Sequence, residues 1–333
     1  MTETAIITGG AGFIGSHTIE LLLDRDYKVI CIDDMSNGQF DNIELFKNNN
    51  NFKFYKIDLS KDFDNNIFSN ADYVFHLAAL ADIVPSIEEP KKYFNANVKA
   101  TINVLEACRK FNIKKIIYSA SSSCYGIPDK YPTDEKAEIR PQYPYALTKR
   151  IGEELMLHWH QVYGLPIISL RYFNVYGTRA RTNTNYGAVF KVFLKQKLEG
   201  HPLTIVGNGN QSRDFTYVTD IARANIMAAK SSISGEIYNV GTGKPQKINY
   251  LAQLIGGETV HIPKRPGEPD STHADITKIK RDIGWEPKIS FQEGVSIMLD
   301  NIEYWKNTPL WTEEEINKAT KSWFKYLGKM EVN

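Results

Sequence analysis

Short β-branched apolar runs recur through the first half of the chain, at Ala5 to Thr8, Val29 to Ile32, Phe52 to Ile57, Tyr73 to Leu77, Ile116 to Ser119 and Ile167 to Arg171. Between several of them the apolar residues return with a helical period, notably over Asn97 to Phe111 and Tyr145 to Tyr163. This alternation predicts an α/β fold, a Rossmann-type doubly wound parallel sheet covered by helices on both faces. After about Arg179 the pattern breaks up: Thr182 to Asn185 is polar, Pro202 to Asp214 is rich in glycine and polar groups, and Pro263 to Asp270 carries three prolines. Such segments suit loops around a ligand. Helical pieces are predicted at Asp220 to Lys230, Asn249 to Leu254, Asp275 to Ile283 and Phe291 to Trp305. A capping box from Thr312 to Glu315 starts one more, with Trp323 and Phe324 along it. The expected division is a sheet domain over 1–178 and mainly a smaller α+β domain over 179–333. The two are interleaved, so that sheet strands can recur after 178.

The first predicted strand runs into TGGAGFIGSH, Thr8 to His17, and then into a helical segment with Ile14, Leu21, Leu22 and Leu23. In a strand, turn and helix of this kind, Gly9 and Gly12 let the backbone approach a pyrophosphate. Gly15 lets the helix pack on its strand, and the helix N-terminus offers unpaired N–H groups to the anion. Asp33 closes the second strand. A carboxylate there accepts hydrogen bonds from an adenine-side ribose and repels a 2′-phosphate, and Asp33 to Phe40 holds no arginine to receive one. NAD is therefore expected over NADP.

With 333 residues, 42% of them hydrophobic and 24% charged, the chain is long enough to bury a large core. A net charge of +1 without a concentrated basic block gives no footprint for nucleic acid or an anionic membrane. No apolar run approaches the roughly 20 residues needed to cross a bilayer, and the first residues lead directly into a strand, so a cytoplasmic protein is expected. Cys31, Cys108 and Cys124 fall in predicted strand, helix and strand end, which suits buried thiols better than a disulfide framework. His158 and His160, two apart, lie on different helix faces without a third ligand, and no metal is assigned. The acids Glu313 to Glu315 are accounted for by the positive end of their helix.

In YPYALTK, Tyr145 and Lys149 are one helical turn apart and share a face. A tyrosine titrates at about 10, but a nearby ammonium favours phenolate, so Tyr145 could take a proton from a substrate alcohol. Upstream, Ile116 to Tyr125 reads IIYSASSSCY, a strand ending in hydroxyls. Ligands of open parallel sheets sit beyond the carboxyl ends of the strands, where Ser121, Ser122 and Ser123 would emerge. The alternative for these serines is a turn whose hydroxyls satisfy local backbone groups.

Taken in order, TGGAGFIGSH, Asp33, HLAA at His76 to Ala79, SASSSCYG, YPYALTK and RYFNVYG at Arg171 to Gly177 resemble the extended short-chain dehydrogenase/reductase family, in its nucleotide-sugar epimerase and dehydratase branch. The resemblance covers nearly the whole chain. It implies that Tyr145 is the active-site base, that Lys149 binds the nicotinamide ribose and tunes Tyr145, and that Ser121 is the hydroxyl partner. Around the cofactor it implies Phe13 and Ile14 with the glycines, and Ser36, Asn37 and Gly38 after Asp33. It places Asp58 and Leu59 beside adenine, and Leu77, Ala78, Ala79 and Ala81 over the pyrophosphate. Asn97, Ser119, Tyr172 and Val175 complete that set. For the substrate, a nucleotide-diphosphate sugar, it implies Ser121 to Ser123, Asn174, Val189, Arg213 in QSRDFTYV, and Arg265 with Glu268 in RPGEPD. Arginine engages phosphate bidentately, and the alternative for either arginine is a surface salt bridge. His76 matches a structural position and reads as a satisfied core histidine.

The branch divides at the serine cluster. Its 4,6-dehydratases carry Thr-Asp-Glu where this chain has Ser121, Ser122 and Ser123, and the decarboxylases' glutamate is also missing. The resemblance therefore implies NAD-dependent 4-epimerisation of a UDP-hexose, UDP-N-acetylhexosamine or UDP-hexuronate through a transient 4-keto sugar. The alternatives are a 4-dehydrogenase or another epimerase acting on a GDP- or other nucleotide sugar and, in a different class, a non-catalytic NAD-binding relative. Ala100 replaces the family's usual glycine, and Ala81 stands where UDP-galactose epimerases carry lysine. A homodimer is implied, through Asn97 to Lys110 and Tyr145 to Val162. Trp305, Trp311, Trp323 and Phe324 are expected to be buried within the chain, the alternative being an added packing surface.

Overall fold

The computed structural model describes residues 2–182, 188–264 and 268–328. Each apolar run of the first half becomes a strand of one sheet: β1 (Thr4–Thr8), β2 (Lys28–Asp33), β3 (Phe52–Lys56), β4 (Tyr73–His76), β5 (Lys115–Ser121) and β6 (Ile167–Tyr172). A seventh strand, β7 (Glu236–Val240), joins the outer edge of β6. The order is β7-β6-β5-β4-β1-β2-β3, and every neighbouring pair is parallel. This is the Rossmann-type doubly wound sheet. The chain leaves β1 toward β2 on one side and returns to β4 on the other, opening a crevice where the strand order reverses.

Strand alternation divides the core into two layers. Ile7, Ile117 and Ile168 enter the apolar cluster on one face, whereas Ile6, Ile116 and Ile167 enter that on the other. The helix Phe13–Leu23 packs on the first face with Val218–Lys230. Ala100–Arg109 and Pro144–Tyr163 pack on the second. Since β7 and the helix before it come from beyond residue 178, the sheet layer is not one continuous stretch of sequence. The smaller lobe has an aromatic core. Tyr176 stacks on Phe190 at 4.4 Å between centroids and Phe215 on Phe291 at 5.4 Å, and Trp305 and Trp311 are buried beside them. Cys31, Cys108 and Cys124 are buried and unbridged.

Several elements differ from the sequence reading. β7 was not foreseen because a polar Asn239 interrupts its short apolar run. That side chain is buried, accepting from the Tyr125 hydroxyl at 2.7 Å and donating to the Thr133 carbonyl at 2.9 Å. The segment expected as one helix from Phe291 to Trp305 ends at Asp300, and a 3₁₀ turn, Ile302–Trp305, follows. The helix begun by Thr312, whose hydroxyl accepts from the Glu315 N–H, stops at Ala319. Trp323 and Phe324 lie on a separate helix, Lys321–Leu327. Thr320 separates the two and returns its hydroxyl to the Ile316 carbonyl at 2.7 Å. Trp305, Trp311 and Trp323 are buried as expected, but Phe324 is 41% exposed.

A buried ion pair ties the helix Pro144–Tyr163 to the sheet. Arg171 on β6 reaches Glu153 with Nη2 to Oε1 at 2.7 Å and Nε to Oε2 at 3.0 Å, and Ser169 donates to the same carboxylate at 2.8 Å. Arg171 also donates to the Tyr125 hydroxyl at 2.7 Å, which in turn bonds Asn239 on β7. Burial pushes the Glu153 carboxyl up, but the Arg171 bonds outweigh it and hold the group below its usual range. Arg150 is a second partner of Glu153, Nη1 to Oε1 at 2.6 Å, so it is the loss of Glu153 that strands a charge, that of Arg171, in the interior. Glu153→Leu is expected to cost about 3 kcal/mol or more of stability, and Glu153→Leu with Arg171→Met considerably less, as measured by denaturant unfolding.

Candidate active site

A cavity of about 1410 Å³ runs along the carboxyl edge of the sheet and into the smaller lobe. Its first half is built from backbone. Gly9 turns with φ +69°, and a Cβ there would lie 2.7 Å from the Ala78 Cα and N. A Cβ on Gly15 would meet the Gly9 carbonyl oxygen at 2.3 Å. The turn and the loop after β4 thus pack at a distance only glycine permits. The helix Phe13–Leu23 starts at Gly12 without a side-chain cap, leaving its first N–H groups directed toward the cavity mouth. Asp33, at the end of β2, accepts from the Ala11 N–H at 3.1 Å and the Met35 N–H at 2.9 Å. Burial nevertheless pushes its carboxyl up to about 6. A glycine cradle at a bare helix terminus with a carboxylate at the neighbouring strand end fits a dinucleotide.

Gly9, Gly12, Phe13, Ile14, Gly15 and Asp33 line this half. So do Ser36, Asn37 and Gly38 on the loop after β2, and Asp58 and Leu59 after β3. Leu77, Ala78, Ala79 and Ala81 line it after β4, as do Ser119, Tyr172 and Val175. Asn97 lies buried behind this lining and serves as a strut. Its amide accepts from the Leu80 N–H at 2.8 Å and donates to the Leu80 carbonyl and the Thr148 hydroxyl, both at 3.0 Å, which holds the loop after β4 in place. His76 is fully buried between the Thr8 hydroxyl at 2.7 Å and the Thr101 hydroxyl at 3.0 Å. Burial, reinforced by Lys149, pushes it down to about 3, so it is neutral.

The second half holds the titratable groups. Tyr145 opens the helix Pro144–Tyr163 just after Pro144, and Ser121 ends β5. Ser121 and Ser123 share a hydrogen bond of 2.8 Å between hydroxyls, and Ser121 Oγ also accepts from the Ser123 N–H at 3.2 Å. Their turn therefore meets local needs and still lines the cavity with Ser122 and Tyr145. Burial raises the Tyr145 phenol above its usual value, while the Ser121 and Ser123 hydroxyls pull it down. Lys149 lies behind this lining. Its ammonium is 4.5 Å from the Tyr118 ring centroid, burial lowers it to about 7, and Glu153 opposes the shift.

On the substrate side Asn174, Val189, Arg213 and Glu268 line the cavity, and Arg265 falls outside the described residues. Arg213 Nη2 donates to Glu268 at 2.8 Å, and Asn174 accepts from the Thr272 hydroxyl at 2.6 Å. Cavity residues that sequence reasoning missed include Tyr143, Asp82, Arg181, Lys191, Trp311 and Trp323. Only Tyr143, inside the YPYALTK motif, carried a local signal. Arg181 reaches Asp82 at 3.2 Å from a different part of the chain. Among the described residues no group of His, Cys, Asp or Glu is placed to hold a metal ion, and no helix is long and apolar enough to cross a membrane.

Residues 5–241 match the model of the NAD dependent epimerase/dehydratase family. A UDP-glucuronate 4-epimerase from Thermodesulfobacterium geofontis is 36% identical over 328 residues, covering 93% of this chain and 96% of that protein. Among solved structures, the UDP-N-acetylglucosamine 4-epimerase from Methanobrevibacter ruminantium in complex with UDP-N-acetylmuramic acid superposes with a TM-score of 0.85 at 37% identity. It covers 90% of this chain and 100% of its own. The UDP-glucuronic acid 4-epimerase from Bacillus cereus in complex with UDP-glucuronic acid and NAD gives 0.84 at 32% identity, covering 90% and 99%. The glycine cradle, the tyrosine and lysine on one helix face and the match across most of the chain lead to one conclusion: this protein is an NAD-using enzyme of the NAD dependent epimerase/dehydratase family, similar to UDP-sugar 4-epimerases.

Proposed function

We propose that this enzyme inverts C4 of a UDP-linked hexose, N-acetylhexosamine or hexuronate through a transient 4-keto sugar. The observation that carries the reading is the convergence of the Tyr145 phenol with the Ser121 and Ser123 hydroxyls at the cavity wall, above a buried Lys149. Three serines bring donors and acceptors but no carboxylate, which favours returning the proton to the oxygen it left over eliminating water.

NAD, when bound, supplies the hydride acceptor and donor that makes oxidation and reduction at C4 possible. The chain's own residues manage the proton and the positions. Tyr145, as phenolate, takes the proton of the C4 hydroxyl and later returns it to the same oxygen, so no net proton is consumed. Lys149 faces that side of the helix, and its ammonium stabilises phenolate in a site where water does not screen it. Ser121 donates to the oxygen as charge develops on it. Arg213 and Asn174 hold the diphosphate, and Glu268 accepts from the hydroxyls of the nucleotide, while the hexose turns over. Asp33 would hold the adenine-side ribose. The same reading pairs two copies through the helices Ala100–Arg109 and Pro144–Tyr163, where Leu147, Val162 and Tyr163 are about half exposed.

Incubated with individual UDP-sugars, the enzyme is expected to yield the C4 epimer without accumulating NADH. Steady accumulation of NADH with a released keto sugar would instead identify a 4-dehydrogenase. Tyr145→Phe should lower kcat by about 10³-fold while NAD binding persists, measured by turnover and by retained cofactor. The Asp33 carboxyl is neutral below about 6, and ribose hydroxyls bond its ionised form best. NAD affinity should therefore fall as pH falls, by about ten-fold from near pH 7.5 to near pH 5, and Asp33→Asn should flatten that dependence in titration calorimetry. Val162→Glu should convert a dimer to a monomer in analytical sedimentation.

A further inference from the structure

After the helix Phe291–Asp300 the chain crosses from one lobe to the other. Trp305, Trp311 and Ile316 are buried in the aromatic core of the smaller lobe. The polypeptide then breaks at Thr320, and the helix Lys321–Leu327 leaves that core to dock on the helix Ile83–Glu88, which follows β4 in the sheet domain. Trp323 and Leu327 close on Val84 there, and Ser322 donates to the Glu88 carboxylate at 2.7 Å. The segment from Trp311 to Leu327 is thus a strap joined to both lobes.

The strap reaches the chemistry through aromatic rings. Trp323 is only 3% exposed yet lines the cavity, as do Trp311 and Ile316. Its ring lies 6.4 Å from that of Tyr143, centroid to centroid. Tyr143 stacks on Tyr145 at 6.3 Å with an interplanar angle of 9°. Arg213 and Glu268 both act on the Tyr143 phenol, which puts this ring between the proposed base and the proposed nucleotide contacts.

We propose that Trp323, brought in by the strap, is a specificity-determining residue. Buried behind Tyr143, it holds that ring as the wall of an aromatic corner on which the C–H face of the hexopyranose packs, while the C4 hydroxyl faces Tyr145. The inference rests on the UDP-sugar reading above. A pyranose has one face rich in C–H bonds, and burying it against aromatic rings gives orientation that hydrogen bonds to the hydroxyls do not supply. In this arrangement Arg213 and Glu268, rather than the Trp323 ring, serve the uridine diphosphate portion.

The test compares Trp323→Ala and Trp323→Phe with the unaltered holoenzyme. Trp323→Ala should raise KM for the UDP-hexose by about ten-fold with a smaller change in kcat, leave the affinity for UDP alone unchanged, and be largely rescued by Trp323→Phe. Retained NAD and an unchanged unfolding midpoint check that the alanine variant is folded. An unaltered KM, or equal losses of affinity for UDP and UDP-hexose, would overturn the proposal. To separate it from the catalytic reading, the preference for UDP-glucose over UDP is also titrated in the Tyr145→Phe background, with and without Trp323→Ala. A Trp323-dependent preference without turnover in the unaltered enzyme sinks the epimerase reading alone. Turnover without such a preference sinks the aromatic corner alone.

Discussion

The salt bridge between Glu153 and Arg171 is the constraint on which the active geometry depends. Glu153 lies four residues after Lys149 and eight after Tyr145, so the three occupy one face of a single helix. Pinning Glu153 to β6 turns that face onto the carboxyl edge of the sheet. The same arginine reaches Tyr125, just past the serine turn, and through it Asn239 on β7. One buried cation thereby sets the mutual positions of the proposed base, the serine hydroxyls and the outer strands. Such a pair adds little net stability against an apolar replacement, but an unpaired Arg171 would not tolerate this environment.

The chemistry depends on a similar balance. Lys149 is buried against the Tyr118 ring, which lowers its ammonium toward neutrality, and Glu153 partly restores it. Tyr145 is raised by the same burial and pulled back by serine hydroxyls. Two groups with unperturbed values near 10 thus share one helix face in a site where burial works against the charged form of each. Asp33 follows the same logic at the opposite end of the cavity, where burial leaves a carboxyl whose ionised form gains most from a hydrogen-bonding ligand.

Between these ends the smaller lobe contributes shape more than charge. Its core is stacked aromatic rings, and the strap from Trp311 to Leu327 carries that apolar character across to the sheet domain. The cavity is therefore backbone and carboxylate at the dinucleotide end and hydroxyl and phenol in the middle. At the far end it is aromatic, beside an arginine paired with Glu268.

Much of this was legible in the residue order, for a physical reason. Strands buried on both faces must be continuously apolar, a phosphate-binding turn needs glycine at fixed offsets, and a proton-transfer pair on a helix needs a spacing of one turn. Each rule acts within a few residues, so Thr8 to His17, Asp33, Tyr145 and Lys149 declare themselves locally. Tertiary structure decided what depends on partners distant in sequence. Asn239 made β7 look polar until the Tyr125 hydroxyl and Thr133 carbonyl were seen to satisfy it. Asn97 braces Leu80 and Thr148 with its amide, a role that the sequence around it does not announce. Trp323 could have packed anywhere, and only the folded chain, with Val84 on one side and Tyr143 on the other, carries it to the cavity. Hydrogen-bond satisfaction and apolar packing across the fold leave no periodic trace in the sequence, because the groups they join are ordered by space alone.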